Sequence, residues 1–245
     1  MMIFEVWCES DIGLKRNTNE DSFLINKELG LFAVADGMGG HQGGEVASSM
    51  AVQCIQEVFE ICKNGAQQIS PRMLLAESYR AASNKIFDRA RSEGSDLNGM
   101  GTTLVVAYQD KNTIFFGNVG DSRVYLFKSK QLWQLTEDHS LLNEYLRFGL
   151  LSESDEEGFT QKNVITRSVG FERDVNCDIL ERVLEPEDLF LICSDGLSGL
   201  VEDQKIAEIC QNFPPNKIVN ECIAEAKRSG GDDNITVMVL YARPQ

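Results

Sequence analysis

Stretches with helical periodicity come in pairs along this chain, and each pair is flanked by blocks of closely spaced strands. Across residues 45–62, Ala47, Met50, Ala51, Cys54, Val58 and Cys62 recur at three- and four-residue intervals and mark one apolar face. Leu75, Tyr79, Ala82, Ile86 and Ala90 repeat the pattern after Pro71, a residue suited to a first helical turn. A second pair lies near the carboxy terminus, with Ile206, Ile209 and Cys210 on one helix and Ile218, Cys222, Ile223 and Ala226 on the other. Strands are expected at 3–8, 22–25, 31–35, 102–108, 113–119, 123–127, 175–183, 189–193 and 235–241, with Asp110-Lys111-Asn112 as a tight hairpin. The regular strand–helix alternation of a parallel sheet is absent. The expected fold is therefore α+β: a four-layer α/β/β/α sandwich, two antiparallel sheets packed face to face with a helix pair outside each.

No low-complexity or Pro/Gly/Ser-rich linker divides the chain, so 1–245 reads as a single domain. Its least regular stretch, about 139–165, reads as a helix plus a surface flap with an acidic patch at 153–157. The formal net charge is −15, from 38 acidic against 23 basic residues. Such a surface repels nucleic-acid phosphates and anionic lipid, so neither is expected as a partner. No apolar run approaches the roughly 20 residues that span a bilayer. Glu5 and Glu9 and the lack of a basic start argue against a secretory signal. The cysteines (Cys8, Cys54, Cys62, Cys177, Cys193, Cys210 and Cys222) are scattered, never form a Cys-x-x-Cys pair, and read as free thiols of a cytoplasmic protein.

Chemistry concentrates where apolar strands meet aspartates. Phe32-Ala-Val-Ala runs into Asp36-Gly37, Phe190-Leu-Ile-Cys-Ser into Asp195-Gly196, and Phe115-Phe-Gly-Asn-Val-Gly into Asp121-Ser122. Asp232-Asp233-Asn234 leads into a further apolar strand. If these strands are neighbours, the aspartates converge on one rim. Two carboxylates about 4 Å apart repel by roughly 4 kcal/mol at an effective dielectric of about 20, so such a cluster shifts its pKa values or recruits cations. Oxygen donors suit magnesium or manganese. The only histidines, His41 and His139, are too few for a histidine-built zinc site.

Taken in order, the segments resemble the metal-dependent protein phosphatases, the type 2C serine/threonine phosphatases, in their compact bacterial form. The resemblance rests on Arg16-Asn-Thr-Asn-Glu-Asp21-Ser, Val34-Ala-Asp36-Gly37-Met-Gly-Gly-His41, Gly99-Met-Gly-Thr-Thr103 and Asn118-Val-Gly-Asp121-Ser-Arg123. It continues through Thr136-Glu-Asp-His-Ser140, Ile165-Thr-Arg-Ser-Val-Gly170, Cys193-Ser-Asp195-Gly196-Leu and Asp233-Asn234-Ile-Thr-Val, and so covers nearly the whole chain.

That resemblance implies hydrolysis of phosphoserine and phosphothreonine in protein substrates, opposing a serine/threonine kinase. It implies two Mn²⁺ or Mg²⁺ ions, with Asp36 bridging both, Asp195 and Asp233 completing one, and the Gly37 carbonyl helping to hold the other. Glu20 and Asp21 resemble the acidic pair beside the second ion's waters, and Asp121 resembles the residue that, with Asp195, holds a third, weaker ion. Two metals about 3.5–4 Å apart can activate a bridging water without a protein nucleophile. Arg16 would grip phosphoryl oxygens bidentately. Met38 stands where many eukaryotic relatives carry a histidine; His41, three residues on, either protonates the leaving oxygen or only hydrogen-bonds near the metal water. His139 is expected to be structural, and Arg167 is either a core-facing loop arginine or an anchor of the flap.

Rival readings lack their own marks. Residues 37–44 have no phosphate-loop lysine, and Gln42 occupies the last glycine position of a Gly-x-Gly-x-x-Gly counted from Gly37. There is no Gly-x-Ser-x-Gly elbow and no contiguous calcium loop. A phosphatase-like regulatory module without metals would carry substitutions at the ligand positions, and none is present.

Overall fold

The computed structural model describes residues 2–40, 43–65, 69–92, 96–152, 159–161 and 164–245. In chain order the elements are β1 (Met2–Asp11), β2 (Asp21–Asn26), β3 (Leu31–Met38), α1 (Gly43–Asn64), α2 (Pro71–Ala90), β4 (Gly101–Thr102), β5 (Leu104–Asp110), β6 (Thr113–Val119), β7 (Arg123–Lys128) and β8 (Gln131–Gln134). They continue as α3 (Leu141–Arg147), β9 (Asp178–Val183), β10 (Leu189–Cys193), α4 (Asp195–Ser198), α5 (Asp203–Asn212), α6 (Pro215–Arg228) and β11 (Ile235–Pro244). One sheet runs β1-β11-β10-β7-β8 and the other β2-β3-β5-β6-β9, with β4 pairing off β3. All these pairings are antiparallel, as expected from the hairpin-linked order.

Near-continuous apolar strands are explained by burial on both faces. On β3, Leu31, Ala33 and Ala35 pack under α1 and α2, whereas Phe32 and Val34 point between the sheets. On β11, Ile235, Val237 and Val239 meet the carboxy-terminal helices, and Met238, Leu240 and Ala242 face inward. The inter-sheet layer is keyed by Phe4 and Phe190 from one sheet against Phe32 and Phe116 from the other, with ring centroids 6.0 Å apart for Phe4–Phe32 and 5.1 Å for Phe116–Phe190. Helix α2 begins at Pro71, and the Ser70 hydroxyl caps it by accepting from the Met73 amide.

Several expected boundaries move. β3 continues to Met38, so Asp36 lies inside a strand and not beyond its end. The single strand expected at 102–108 is broken at Thr103, opposite Asp36: the Thr103 amide donates to the Asp36 carbonyl, but the Asp36 amide donates to the Thr103 hydroxyl and not to its carbonyl. The strand expected at 175–183 starts only at Asp178. The short β8 and one-turn α4 were not expected; four residues are too few to show a period. The irregular stretch opens with α3, capped by Ser140, while the acidic patch 153–157 lies outside the described residues. Every cysteine is free, and no described helix is long and apolar enough to cross a membrane.

Candidate metal centre

Both sheets present acidic side chains at one edge of the sandwich. The β2–β3 register sets Asp21 directly opposite Asp36. From the other sheet, β10 leads through Ser194 into Asp195 at the start of α4, and Asp233 immediately precedes Asn234 and β11. Arg16, Glu20, Asp36, Gly37, Asp195 and Asp233 thereby line one cavity of about 430 Å³, with Met38 and Ile165 on its wall. An adjoining cleft of about 580 Å³ shares Asp195 and Asp233 and adds Asp121. These residues are far apart in sequence and come together here.

The backbone under Asp36 is fixed from the β4–β5 segment. Its amide donates to the Thr103 hydroxyl at 3.0 Å, and its carbonyl accepts from the Thr102 hydroxyl at 2.8 Å and the Thr103 amide at 2.8 Å. Asp21 rests on hydroxyls from the opposite sheet: its Oδ2 accepts from Thr236 at 2.7 Å and Ser194 at 2.9 Å. Gly37 and Gly44 allow the chain to cross beside them. A Cβ on Gly37 would lie 2.0 Å from the Gly44 carbonyl oxygen, and one on Gly44 would lie 2.6 Å from Glu20 Oε2.

Electrostatically the cluster is strained. Asp36 and Asp195 keep partial exposure toward the cavity, yet both are deeply embedded. Burial, followed by the charges of Asp21, Asp195 and Asp121, pushes Asp36 well above the carboxylate range. Burial and Asp195 raise Asp121 to about 7. Burial lifts Asp21 to about 6 in spite of its two hydroxyl donors. Asp195 is raised by burial and by Asp233, and Glu20 by burial.

The oxygens Asp21 Oδ1, Asp121 Oδ1 and Asp195 Oδ1 are buried and accept no hydrogen bond. Orphaned buried acceptors are rare, at a cost of about 1–3 kcal/mol each. Three at one rim, all on carboxylates, fit hard divalent cations. Among the described residues no three side chains form a ready-made cage; ions that keep several waters and accept a backbone carbonyl do not require one.

Arg16 reaches across the cluster, its Nη2 donating to Asp233 Oδ2 at 2.7 Å. Its remaining guanidinium donors have no partner among the described residues. His41 lies outside the described residues. His139 is buried: its Nδ1 accepts from the Gly120 amide at 3.0 Å and its Nε2 meets Asp178 Oδ2 at 3.1 Å. Arg167 is neither core-facing nor free, donating to Asp178 Oδ1 at 2.8 Å beside the root of the flap. Sequence reasoning missed the supporting hydroxyls of Thr102, Thr103, Ser194 and Thr236. Ser194 and Thr236 stand beside or near an aspartate in their motifs, the one available signal; the motif of Thr102 and Thr103 contains none.

Known proteins resemble this chain over nearly its whole length. The family described as Protein phosphatase 2C matches residues 15–226. A serine/threonine phosphatase (stp) of Listeria monocytogenes is 37% identical over 235 residues, covering 94% of this chain and 93% of its own. The crystal structure of the serine/threonine phosphatase Stp1 from Staphylococcus aureus superposes with a TM-score of 0.89 at 30% identity, covering 99% of this chain and 96% of that one. The catalytic domain of serine threonine protein phosphatase PstP, in complex with two manganese ions, superposes with a TM-score of 0.87 at 31% identity over 100% of both chains.

Proposed function

Since this chain belongs to the protein phosphatase 2C family, we propose that Asp36, Gly37, Asp195 and Asp233 hold the two Mn²⁺ or Mg²⁺ ions on which its serine/threonine protein phosphatase activity depends. The observation that supports this assignment is the convergence of Asp36 and Gly37 from one sheet with Asp195 and Asp233 from the elements of the other on a single cavity, where the Asp195 Oδ1 is buried and partnerless. When bound, such ions supply an activated water and neutralise charge on the phosphoryl group.

The chain's own groups have separable tasks. Asp36, with its backbone clamped by Thr102 and Thr103, presents its carboxylate to the centre of the cluster. Asp195 and Asp233 come from the opposite sheet and share the positive charge, and the Gly37 carbonyl adds a neutral ligand. Glu20 and Asp21 would accept hydrogen bonds from waters on such ions, and Asp121 with Asp195 would hold a third, weaker ion. Arg16, oriented through Asp233, offers its remaining N–H groups to phosphoryl oxygens. His41 donates a proton to the leaving oxygen. This division leaves the protein without a covalent nucleophile.

The whole chain, 1–245, acts as one catalytic domain. Ile165, at the end of the stretch expected as a flap, lies on the cavity wall and supports a part for that stretch in substrate choice. The substrates are phosphorylated proteins in the cytoplasm, with a serine/threonine kinase as the opposing activity.

The test is hydrolysis of a phosphothreonine peptide by the purified protein with added Mn²⁺, with chelator, and with the variants Asp36→Asn and Asp195→Asn. Turnover should require the metal and fall to background in both variants, with circular dichroism unchanged. Wild-type rates in either variant, or in chelator, would refute the assignment.

A further inference from the structure

The loop that carries Arg16 has little of its own to hold it. Residues 12–20 contain no helix or strand, and Leu14 is 61% exposed, so apolar burial does not fix its course. It is instead fastened along the turn 231–234. The Leu14 amide donates to the Gly231 carbonyl at 2.7 Å, Lys15 pairs with Asp232 at 2.6 Å, and Arg16 pairs with Asp233 at 2.7 Å. The two ion pairs are exposed and hold weakly by themselves.

Asn234 is different. It is 4% exposed, and its whole side chain is engaged with this loop. Nδ2 donates to the Ile12 carbonyl at 3.0 Å and the Thr18 carbonyl at 2.9 Å, gripping the loop on either side of Arg16. Oδ1 accepts from the Glu20 amide at 2.8 Å. Gly13 makes the close approach possible: its φ is +81°, and a Cβ there would lie 2.1 Å from the Asp233 carbonyl oxygen. A buried amide whose donors and acceptor all serve one loop defines that loop's position.

We propose that Asn234 is a positioning residue, which with Gly13 fixes the 12–18 loop so that the Arg16 guanidinium stands ready for a phosphoryl group. The inference rests on the reading of Arg16 given above. It separates phosphate binding from metal binding. Glu20 is also held by its carbonyl, which accepts from the Gly37 amide at 3.1 Å and the Ser48 hydroxyl at 2.6 Å. Loss of Asn234 therefore frees the loop ahead of Glu20 and leaves the backbone at Gly37 in place.

The experiment compares wild type, Arg16→Ala, Asn234→Ala, Gly13→Ala and the double variants with Arg16→Ala, all as the full chain in saturating Mn²⁺. It reads the inhibition constant of inorganic phosphate, KM and kcat on a phosphothreonine peptide, and the Mn²⁺ concentration for half-activation. Each single variant should weaken phosphate inhibition and raise KM by about tenfold, the effect of one charge-assisted contact. Each double should be within about twofold of Arg16→Ala alone, because residues acting through one group are not additive. Half-activation by Mn²⁺ should stay within about twofold of wild type, which a general structural defect would not respect.

Losses that multiply in the doubles, or unchanged phosphate inhibition in Asn234→Ala, would overturn the proposal. If Asn234→Ala does not fold, Gly13→Ala carries the same comparison. In addition, the wild-type Leu14 and Glu20 amides should exchange with deuterium more slowly than those of residues 15–17, and equal rates would also overturn it. Should Arg16→Ala itself leave phosphate inhibition unchanged, the role of Arg16 falls and this inference falls with it; additive losses sink the inference alone.

Discussion

Replacing Asp188 by asparagine should destabilise the protein by about 2–3 kcal/mol at neutral pH, a figure that follows from its partners. Asp188 is fully inaccessible to solvent and stands just before β10. Its Oδ1 accepts from Lys128 Nζ at 2.9 Å, and its Oδ2 from the Glu185 amide at 3.0 Å and Arg182 Nε at 3.3 Å. Lys128 belongs to β7 and Arg182 to β9, so one carboxylate ties the two sheets together. Removing one member of a buried ion pair costs about 3–5 kcal/mol when the other charge stays buried. Here the Lys128 and Arg182 side chains are 33% and 29% exposed and can regain water, and asparagine keeps the shape and one acceptor, which lowers the figure.

The pH dependence gives the sharper check. Burial by itself would raise the Asp188 pKa, but the hydrogen bonds from Lys128, Glu185 and Arg182 outweigh it and hold the group below the usual range. A depressed carboxylate contributes stability that is complete above its unfolded pKa, about 3.9, and is lost as pH falls through the folded value. Urea unfolding in chelator at pH 7, 5 and 3 should show a constant gap between wild type and Asp188→Asn down to pH 5, narrowing by pH 3. At pH 7 the melting temperature should fall by about 5–10 °C for a chain of this size. A gap below about 1 kcal/mol at pH 7, or one that persists undiminished at pH 3, would refute the account.

Other expectations follow from the same contacts. Mn²⁺ at a hundred times its dissociation constant should add about 2.7 kcal/mol, or roughly 5–10 °C, to wild-type stability and nothing to Asp195→Asn; equal shifts in both by scanning fluorimetry would count against the site. Burial lowers the His139 pKa against the opposing pull of Asp178, so its imidazole should titrate below about 6.5 by NMR, and its contribution to stability should fade as pH drops below that value. The Nδ1 that accepts from the Gly120 amide carries no proton, so the ring is neutral, and a midpoint above about 6.5 would contradict this. Tyr79→Phe removes a fully buried hydroxyl that donates to the Leu104 carbonyl at 3.0 Å and should cost about 1–2 kcal/mol in urea unfolding.

Much of the fold was legible because its helices are amphipathic and its strands apolar. Ala47, Ala82 and Ile86 announce the α1–α2 face, and the hairpin order announces antiparallel sheets. The four layers follow from burying both faces of each sheet. What periodicity cannot show is an element only one or two repeats long, which hid β4, β8 and α4. Nor does it show a side chain that interrupts a ladder, as the Thr103 hydroxyl does by taking the Asp36 amide. The acidic residues of the site were visible as aspartates beside apolar runs. Their supports were not: Thr236 and Ser194 read as ordinary strand residues until Asp21 is placed on top of them.

Because Asp21 and Asp36 come from one sheet and Asp195 and Asp233 from the elements of the other, the acidic rim is a seam and not a pocket in either half. Sliding β2 or β3 by a single residue would turn its aspartate to the opposite face. Neither sheet, expressed without its mate, would retain the constellation. Catalytic competence is thus an all-or-none readout of sandwich closure, and cations seated there would rivet the two halves at the point where they are most strongly driven apart.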